Sequence, residues 1–586
     1  MDRKTTHTGT ALLRRTLLKI GAALPFRGTT ATESAARAGT RPDSQNLNGW
    51  PDEAAWKSLR AEVGDRLSAV VALDFTDPHV AKQLSSPFFI RDQAALTQSS
   101  GWIDGWQSTP GACAVRARSA SDVAATIRFA SQHNVRLVIK GGGHSYLGGS
   151  NAAGSLLLWT RDMNDIVLHD RFIPAGTHAA PVPAVSLGSG CIWLDAYNAV
   201  TTGAGRYVQG GGCTTVGVAG FVQGGGFGSF SKQYGTGAGS LLEAEIVTAD
   251  SRIRTVNAAQ DSDLFQALKG GGGGTFGVVT RLTLQTHDLP ATFGLVHWQI
   301  RARSDQSFHR LLTAFVDVCA GHLFSRHWGE QARAGSDNRL EIFMTLQGLD
   351  TQTARSCWHD LENFVSGNMQ DYEIEAPFAL TVLPARRLWD GNWLRRHNPS
   401  LIMTDTRPGS SPDHWWWAGN TEEAGTFWHG YQSMWLPASL LDRQQRAAFT
   451  EAWFASTRHW PVSLHFNKGL AGGSDDAILR SRDTVMNPDA LGAFALAIIA
   501  GEGKPAYTGL SEKDLIKARS VQEKIQQASA RLRQIAPVAG SYISESDYHL
   551  TDWQQACWGT HYEQLLQVKH RYDPKGLFTV HHGVGT

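Results

Sequence analysis

A chain of 586 residues is long enough to bury more than one core, and its length points to two or more compact units. Charged residues make up 18%, and 54 basic against 53 acidic side chains leave +1, so no basic field argues for nucleic acid or an anionic membrane. Six cysteines (113, 191, 213, 319, 357, 557) are too few for a disulfide framework, and no C-x-x-C, H-E-x-x-H or zinc-spaced cluster directs the reading to a metal.

The N-terminus reads as an export signal over residues 1–38. Leu13-Arg14-Arg15-Thr16-Leu17-Leu18-Lys19 resembles a twin-arginine motif, an apolar stretch spans 20–26, and Ala36-Arg37-Ala38 supplies an A-x-A-like cleavage site. No later segment reaches ~18 uninterrupted apolar residues. The mature form is therefore expected off the membrane, delivered folded by the twin-arginine machinery to the periplasm or the medium. Residues 39–107 follow as an N-terminal extension with helical stretches and proline breaks. Ser119-Ala120-Ser121-Asp122 offers a helix N-cap ahead of Val123, Ile127 and Ala130 at helical spacing. Residues 135–139 read as a short buried strand running into Lys140-Gly141-Gly142-Gly143-His144. A strand at 184–188 leads to a helix around 194–201, strands at 241–248 and 252–256 flank a turn, and 261–269 is a short helix. From about 291 to 535 glycine thins out and tryptophan and charge increase; 340–344 alternates as a strand and 512–535 is helical. Trp415-Trp416-Trp417, with Trp428 and Trp435, reads as packing in preference to a stacking surface for a sugar or aromatic ring.

Glycine clusters at 141–143, 210–212, 224–226 and 270–274 lie beside these elements. Glycine lets successive backbone N–H groups approach a ligand and form anion-binding nests, so several such loops imply a large phosphate-containing ligand. Gly272-Gly273-Gly274-Thr275-Phe276-Gly277 formally matches G-x-G-x-x-G. A helix precedes it and a β-rich stretch follows, the reverse of the strand–turn–helix that a dinucleotide fold requires. Gly143-His144-Ser145-Tyr146-Leu147 lacks the closing glycine of a G-x-S-x-G elbow.

Two further motifs stand 69 residues apart (213 − 144): Gly141-Gly142-Gly143-His144-Ser145-Tyr146 and Gly211-Gly212-Cys213-Thr214-Thr215-Val216-Gly217. The second continues through Gly224-Gly225-Gly226-Phe227-Gly228 to Lys232-Gln233-Tyr234-Gly235, and Tyr572-Asp573-Pro574-Lys575-Gly576-Leu577-Phe578 closes the chain. Together they resemble the berberine bridge enzyme-like branch of the vanillyl-alcohol oxidase superfamily, over nearly the whole mature chain. The resemblance implies an α+β fold with a two-part PCMH-type FAD-binding domain at 108–290. A substrate domain with a large antiparallel sheet follows at 291–535, and 536–586 returns to the first domain. It implies FAD held covalently by His144 at the 8α-methyl and by Cys213 at C6, a chemistry open to an imidazole nitrogen and a thiolate.

By the same resemblance, the backbone of Lys140, Gly141, Gly142, Gly143, His144 and Ser145, with Gly149 and Ser150, holds the pyrophosphate. Val216, Gly217, Gly220, Gly224, Gly225 and Gly226 run along the ribityl chain and ring, Ile246 and Val247 meet the adenine, and Tyr572 joins the cofactor-binding set. Val216 takes the place of a gate whose small size accompanies oxygen reactivity. The implied activity is an oxidase that takes a hydride from the CH–OH group of an alcohol, saccharide or secondary metabolite, with O₂ leaving as hydrogen peroxide. A dehydrogenase with another acceptor and an exported binding protein without turnover are the alternatives. Phe221 and Phe227 stand where many relatives have histidine and tyrosine, and Tyr542-Ile543-Ser544-Glu545-Ser546-Asp547 replaces Tyr-x-Asn-Tyr-x-Asp. Hydride removal needs a base within hydrogen-bond reach of the hydroxyl. Tyr542 is the first candidate, then Glu545 and His465, while Lys232 either faces the pyrimidine end of the ring or is a solvated surface lysine.

Overall fold

The computed structural model describes residues 50–510 and 513–586, so the expected signal, 1–38, lies outside the described residues. Ser119 caps the helix Ala120–Gln132: its Oγ accepts from Asp122 N at 3.2 Å while Asp122 Oδ2 accepts from Ser119 N at 3.1 Å, a reciprocal capping box. Val123, Ile127 and Ala130 form its buried stripe, packed on a four-stranded sheet. In that sheet Leu137–Lys140, Leu156–Trp159 and Cys113–Arg116 run parallel, with Leu67–Ala69 antiparallel at the edge. Parallel strands need cover on both faces, and Leu156, Leu157 and Leu158 are all fully buried.

A second, six-stranded antiparallel sheet holds Ile253–Asn257, Leu241–Val247, Val278–Asp288, Val182–Gly188 and Ile166–Phe172 in that order, with Arg206–Val208 on the far end of Val278–Asp288. These two sheets and the glycine loops between them make the first half of the molecule. The second half is built on an eight-stranded sheet from Tyr372–Pro384 at one edge to Thr426–Pro437 and Ser99–Trp102 at the other. Strand Arg339–Gln347 shows the expected alternation: Leu340, Ile342, Met344 and Leu346 face a layer formed by the helices Asp305–Val318, Arg446–Thr457 and Leu515–Arg533. The other face turns toward the glycine-rich half.

Ser99–Trp102, within the stretch read as an extension of the first half, instead pairs in parallel with Thr426–Pro437. Its sequence, Ser-Ser-Gly-Trp, carries no strand signal; Trp428 Nε1 donating to Ser99 Oγ at 3.0 Å helps to fix it. The C-terminal helix Tyr562–Tyr572 returns to the first half and buries Leu565 and Val568 against Leu264 and Phe265.

Candidate functional site

The loops carrying His144 and Cys213 meet backbone to backbone. A Cβ on Gly142 would lie 2.5 Å from Gly217 N, and one on Gly217 would lie 2.7 Å from Gly142 N, so only glycine allows the crossing. His144 Nε2 and Thr215 Oγ1 are 3.1 Å apart, which sets the histidine two residues from Cys213 along the facing loop. Burial pulls the imidazole down to about 4, leaving it neutral and free to use a ring-nitrogen lone pair at neutral pH.

The cradle fits a dinucleotide. Among the described residues, no backbone acceptor faces the consecutive N–H groups of Gly141, Gly142, Gly143, His144 and Ser145, whereas Gly149 N–H is satisfied by Ser145 Oγ at 3.1 Å. Five unpaired donors in a row form a nest for a pyrophosphate. The buried hydroxyls of Ser189, Thr214 and Thr275, beside the glycine loops, likewise have no protein partner. Buried polar groups rarely stay unsatisfied, so these await a ligand or water. A small recess opens between Ile139, Gly149, Gly274 and Val580, and Ser150 is buried next to it.

Val216 is half-buried beside Cys213, and Gly220 is exposed with open space above it. Gly224, Gly225 and Gly226 wrap Ser544, Met486 and Tyr542, and Phe221 fills the space under Gly211 and Gly226, so its ring is part of the core. Tyr542 accepts from Gly226 N–H at 3.1 Å and packs edge-on against Phe227. Burial pushes its phenol up to about 12, the wrong direction for a base and the right one for a post that holds the glycine loop.

Other expected residues have their polar ends held by the protein itself. Lys140, expected in the cradle through its backbone, runs its side chain past Gly143 and donates from its ammonium to Gln93 O at 2.7 Å and Leu96 O at 2.5 Å. Ile246 and Val247 are fully buried, with both backbone edges paired in the six-stranded sheet, so neither is open to an adenine. The Tyr572 hydroxyl is shared between Asp261 and Asp263 at 3.0 Å each and clamps the last helix to its neighbour. Lys232 is neither exposed nor cofactor-facing: it is buried and donates to Gly469 O, Ala471 O and Phe494 O at 3.0, 2.6 and 3.1 Å. Trp415 and Trp416 pack into the core, but Trp417 Nε1 donates to Gly212 O at 3.0 Å, beside Cys213.

The second half closes the site with charge. Lys468 Nζ donates to both Glu545 oxygens, at 2.6 and 2.5 Å, and the Glu545 carbonyl accepts from Ser433 Oγ at 2.6 Å. His465, three residues before Lys468, turns to the same side, and burial depresses its pKa. Glu330 would face the helical layer by its register with Met344, but its φ of +61° turns the carboxylate the other way, onto Ser229 Oγ. Such left-handed backbone in a non-glycine residue stores strain that local packing must hold. Burial also raises Glu330, and its field is felt with those of Lys468 and Glu545. Glu423 Oε2 lies 3.9 Å from Cys213 Sγ, and the Tyr146 ring packs at a tilt against Trp428 and Tyr431, with centroids 4.6 and 5.5 Å away. Glu330, Glu423, Lys468 and Tyr431 carry no motif that could have marked them in the sequence. The group can seat a polar substrate against the cradle, take a proton from it and keep bulk water out.

The family model described as "FAD binding domain" matches residues 111–257, and "Berberine and berberine like" matches 541–585. The chain is 29% identical to the FAD-linked oxidoreductase ffsJ of Aspergillus flavipes over 486 residues, covering 80% of this chain and 74% of the relative. Its fold superposes on the VAO-type flavoprotein MtVAO615 from Myceliophthora thermophila C1 with a TM-score of 0.73 at 23% identity, covering 92% and 96% of the two chains. Glucooligosaccharide oxidase from Acremonium strictum, whose structure describes a 6-S-cysteinyl, 8α-N1-histidyl FAD, matches with a TM-score of 0.62 at 18% identity over 86% and 96%. With an FAD-binding domain over 111–257, a berberine-like segment over 541–585 and a matching two-part fold, the chain is an FAD-linked oxidoreductase similar to the berberine-like and VAO-type flavoproteins.

Proposed function

We propose that the chain is an oxidase carrying FAD tethered through His144 and Cys213 and acting on the CH–OH group of an alcohol, saccharide or secondary metabolite. The observation that carries this reading is the crossing of the His144 and Cys213 loops at Gly142 and Gly217, over a run of unpaired N–H donors. FAD held there would supply the hydride acceptor and the two-electron route to O₂, with hydrogen peroxide as the product. The loop from Gly141 to Ser145 binds the pyrophosphate through backbone N–H groups. Glu545, aimed and neutralised by Lys468, takes the substrate's hydroxyl proton; Tyr542 holds the loop at Gly226, and His465 flanks the pair. Val216, small and half-buried beside Cys213, is in keeping with oxygen as the acceptor. The arginine pair Arg14-Arg15 supports export of the folded, loaded protein.

The test is to precipitate the purified protein with acid and follow the yellow colour, then to screen alcohols and saccharides for peroxide release. Colour in the pellet and peroxide with at least one substrate are expected. Colour released to the supernatant overturns the tethers, and substrate turnover without peroxide overturns the oxidase.

A further inference from the structure

We infer that Glu423 is the base that removes the thiol proton of Cys213 as the cysteine is joined to the flavin, an inference that rests on the tether proposed above. One stretch of the second half, residues 417–426, grips the cysteine loop at two points. Trp417 Nε1 donates to Gly212 O at 3.0 Å, and Glu423 Oε2 stands 3.9 Å from Cys213 Sγ. Asn420 Nδ2 donates to that same carboxylate oxygen at 2.9 Å, and the Glu423 carbonyl accepts from Thr426 Oγ1 at 2.7 Å, so the acid is aimed from both ends. Among the described residues, Glu423 is the hydrogen-bond partner of Sγ.

The thiol needs such a partner. Burial pushes Cys213 well above the ordinary thiol range, and the charge of Glu423 adds to it, so the sulfur does not ionise unaided. Only the thiolate is the nucleophile. The Glu423 carboxylate, held by Asn420 Nδ2, is the proton acceptor within reach of that sulfur. The S–H bond breaks, the proton passes to Glu423 Oε2, and sulfur keeps the electron pair with which it bonds the ring carbon. Overall, the thiol and the ring C–H lose two hydrogens, and dioxygen takes them as hydrogen peroxide.

The experiment compares full-length native, Glu423→Gln and Glu423→Asp proteins by mass spectrometry of the peptides carrying His144 and Cys213, with the absorption spectrum of the denatured protein as a second readout. In the native chain both peptides carry the flavin. Glu423→Gln is expected to keep the His144 linkage while the flavin-bearing share of the Cys213 peptide falls at least tenfold. Complete linkage of Cys213 in Glu423→Gln overturns the inference. A native chain without flavin on either peptide defeats the tether itself and is recognised by that signature. Glu423→Asp keeps the carboxylate one methylene farther away and decides the matter if the glutamine variant does not accumulate. Cys213 linkage below the native share in Asp supports the base, and linkage equal to native refutes it.

Discussion

Replacing Lys232 by methionine separates a structural role from a catalytic one. The ammonium is buried, and its three hydrogens meet three carbonyls, Gly469 O, Ala471 O and Phe494 O, at 3.0, 2.6 and 3.1 Å. Burial pulls the amine down to about 7, yet a neutral amine has only two hydrogens and would set its lone pair against one of these oxygens. The geometry therefore favours the ammonium. Lys232 sits on the short helix Ser231–Tyr234 of the glycine-rich half, and all three acceptors belong to the other half, so the contact is a rivet between them. Methionine keeps the stem and leaves three buried carbonyls without a donor, at roughly 1–3 kcal/mol each before any water enters. A net loss of about 3–5 kcal/mol follows, a large part of the ~5–15 kcal/mol by which domains are stable. Urea unfolding of the loaded full chain, followed by tryptophan fluorescence, reads it directly. A loss below about 1 kcal/mol, accompanied by altered flavin reactivity, would instead place the lysine at the ring and refute the rivet.

Gly142→Ala would drive a Cβ to 2.5 Å from Gly217 N, a backbone atom with little room to yield, and is expected to abolish flavin loading; a yellow, stable variant contradicts the crossing. Glu545→Gln should slow flavin reduction by at least ~10²-fold in stopped flow, while Tyr542→Phe should cost less than ~10-fold; the reverse order returns the base to Tyr542. His429 and His582 are buried, and burial lowers them to about 4 and about 3, below the unfolded value near 6.5. Because the unfolded chain then binds more protons, their stability contribution is complete above pH 6.5 and is lost as pH falls toward 4 and 3. At pH 5 the loss is roughly 2 kcal/mol for each, and urea midpoints that do not move between pH 7 and 5 would refute it.

The glycine motifs were legible because they answer local needs: a crossing that excludes Cβ, a run of N–H donors, a turn leading out of a buried strand. His144 and Cys213 inherit their address from those loops, and the helix at Ala120–Gln132 announces itself through Ser119 and its apolar spacing. The acidic side of the site was not legible, because no single stretch contains it. Glu330 faces the cleft through one left-handed φ that no composition signals, and Glu423 reaches Cys213 across 210 positions of sequence. Lys140, Lys232 and Tyr572 sit inside or beside the right motifs, yet tertiary acceptors claim their polar ends. A motif fixes where the backbone goes more firmly than where a long side chain points.

These long-range contacts share one consequence. Tyr542 holds Gly226, Trp417 holds Gly212, Glu330 holds Ser229 and Lys232 holds the 469–471 turn, and each bond joins the glycine-rich half to the elements that roof it. The ion pair Glu545–Lys468 and the loops of His144 and Cys213 are therefore set against one frame, not two hinged bodies. For the proton and hydride removal proposed above, these hydrogen bonds hold Glu545 at a set place against the cradle, and rigid placement of that kind is what such a step demands. Loosening the contacts at Gly226, Gly212 or Ser229 should consequently reach the chemistry as well as the stability, whereas the Lys232 contact is expected to bear on stability.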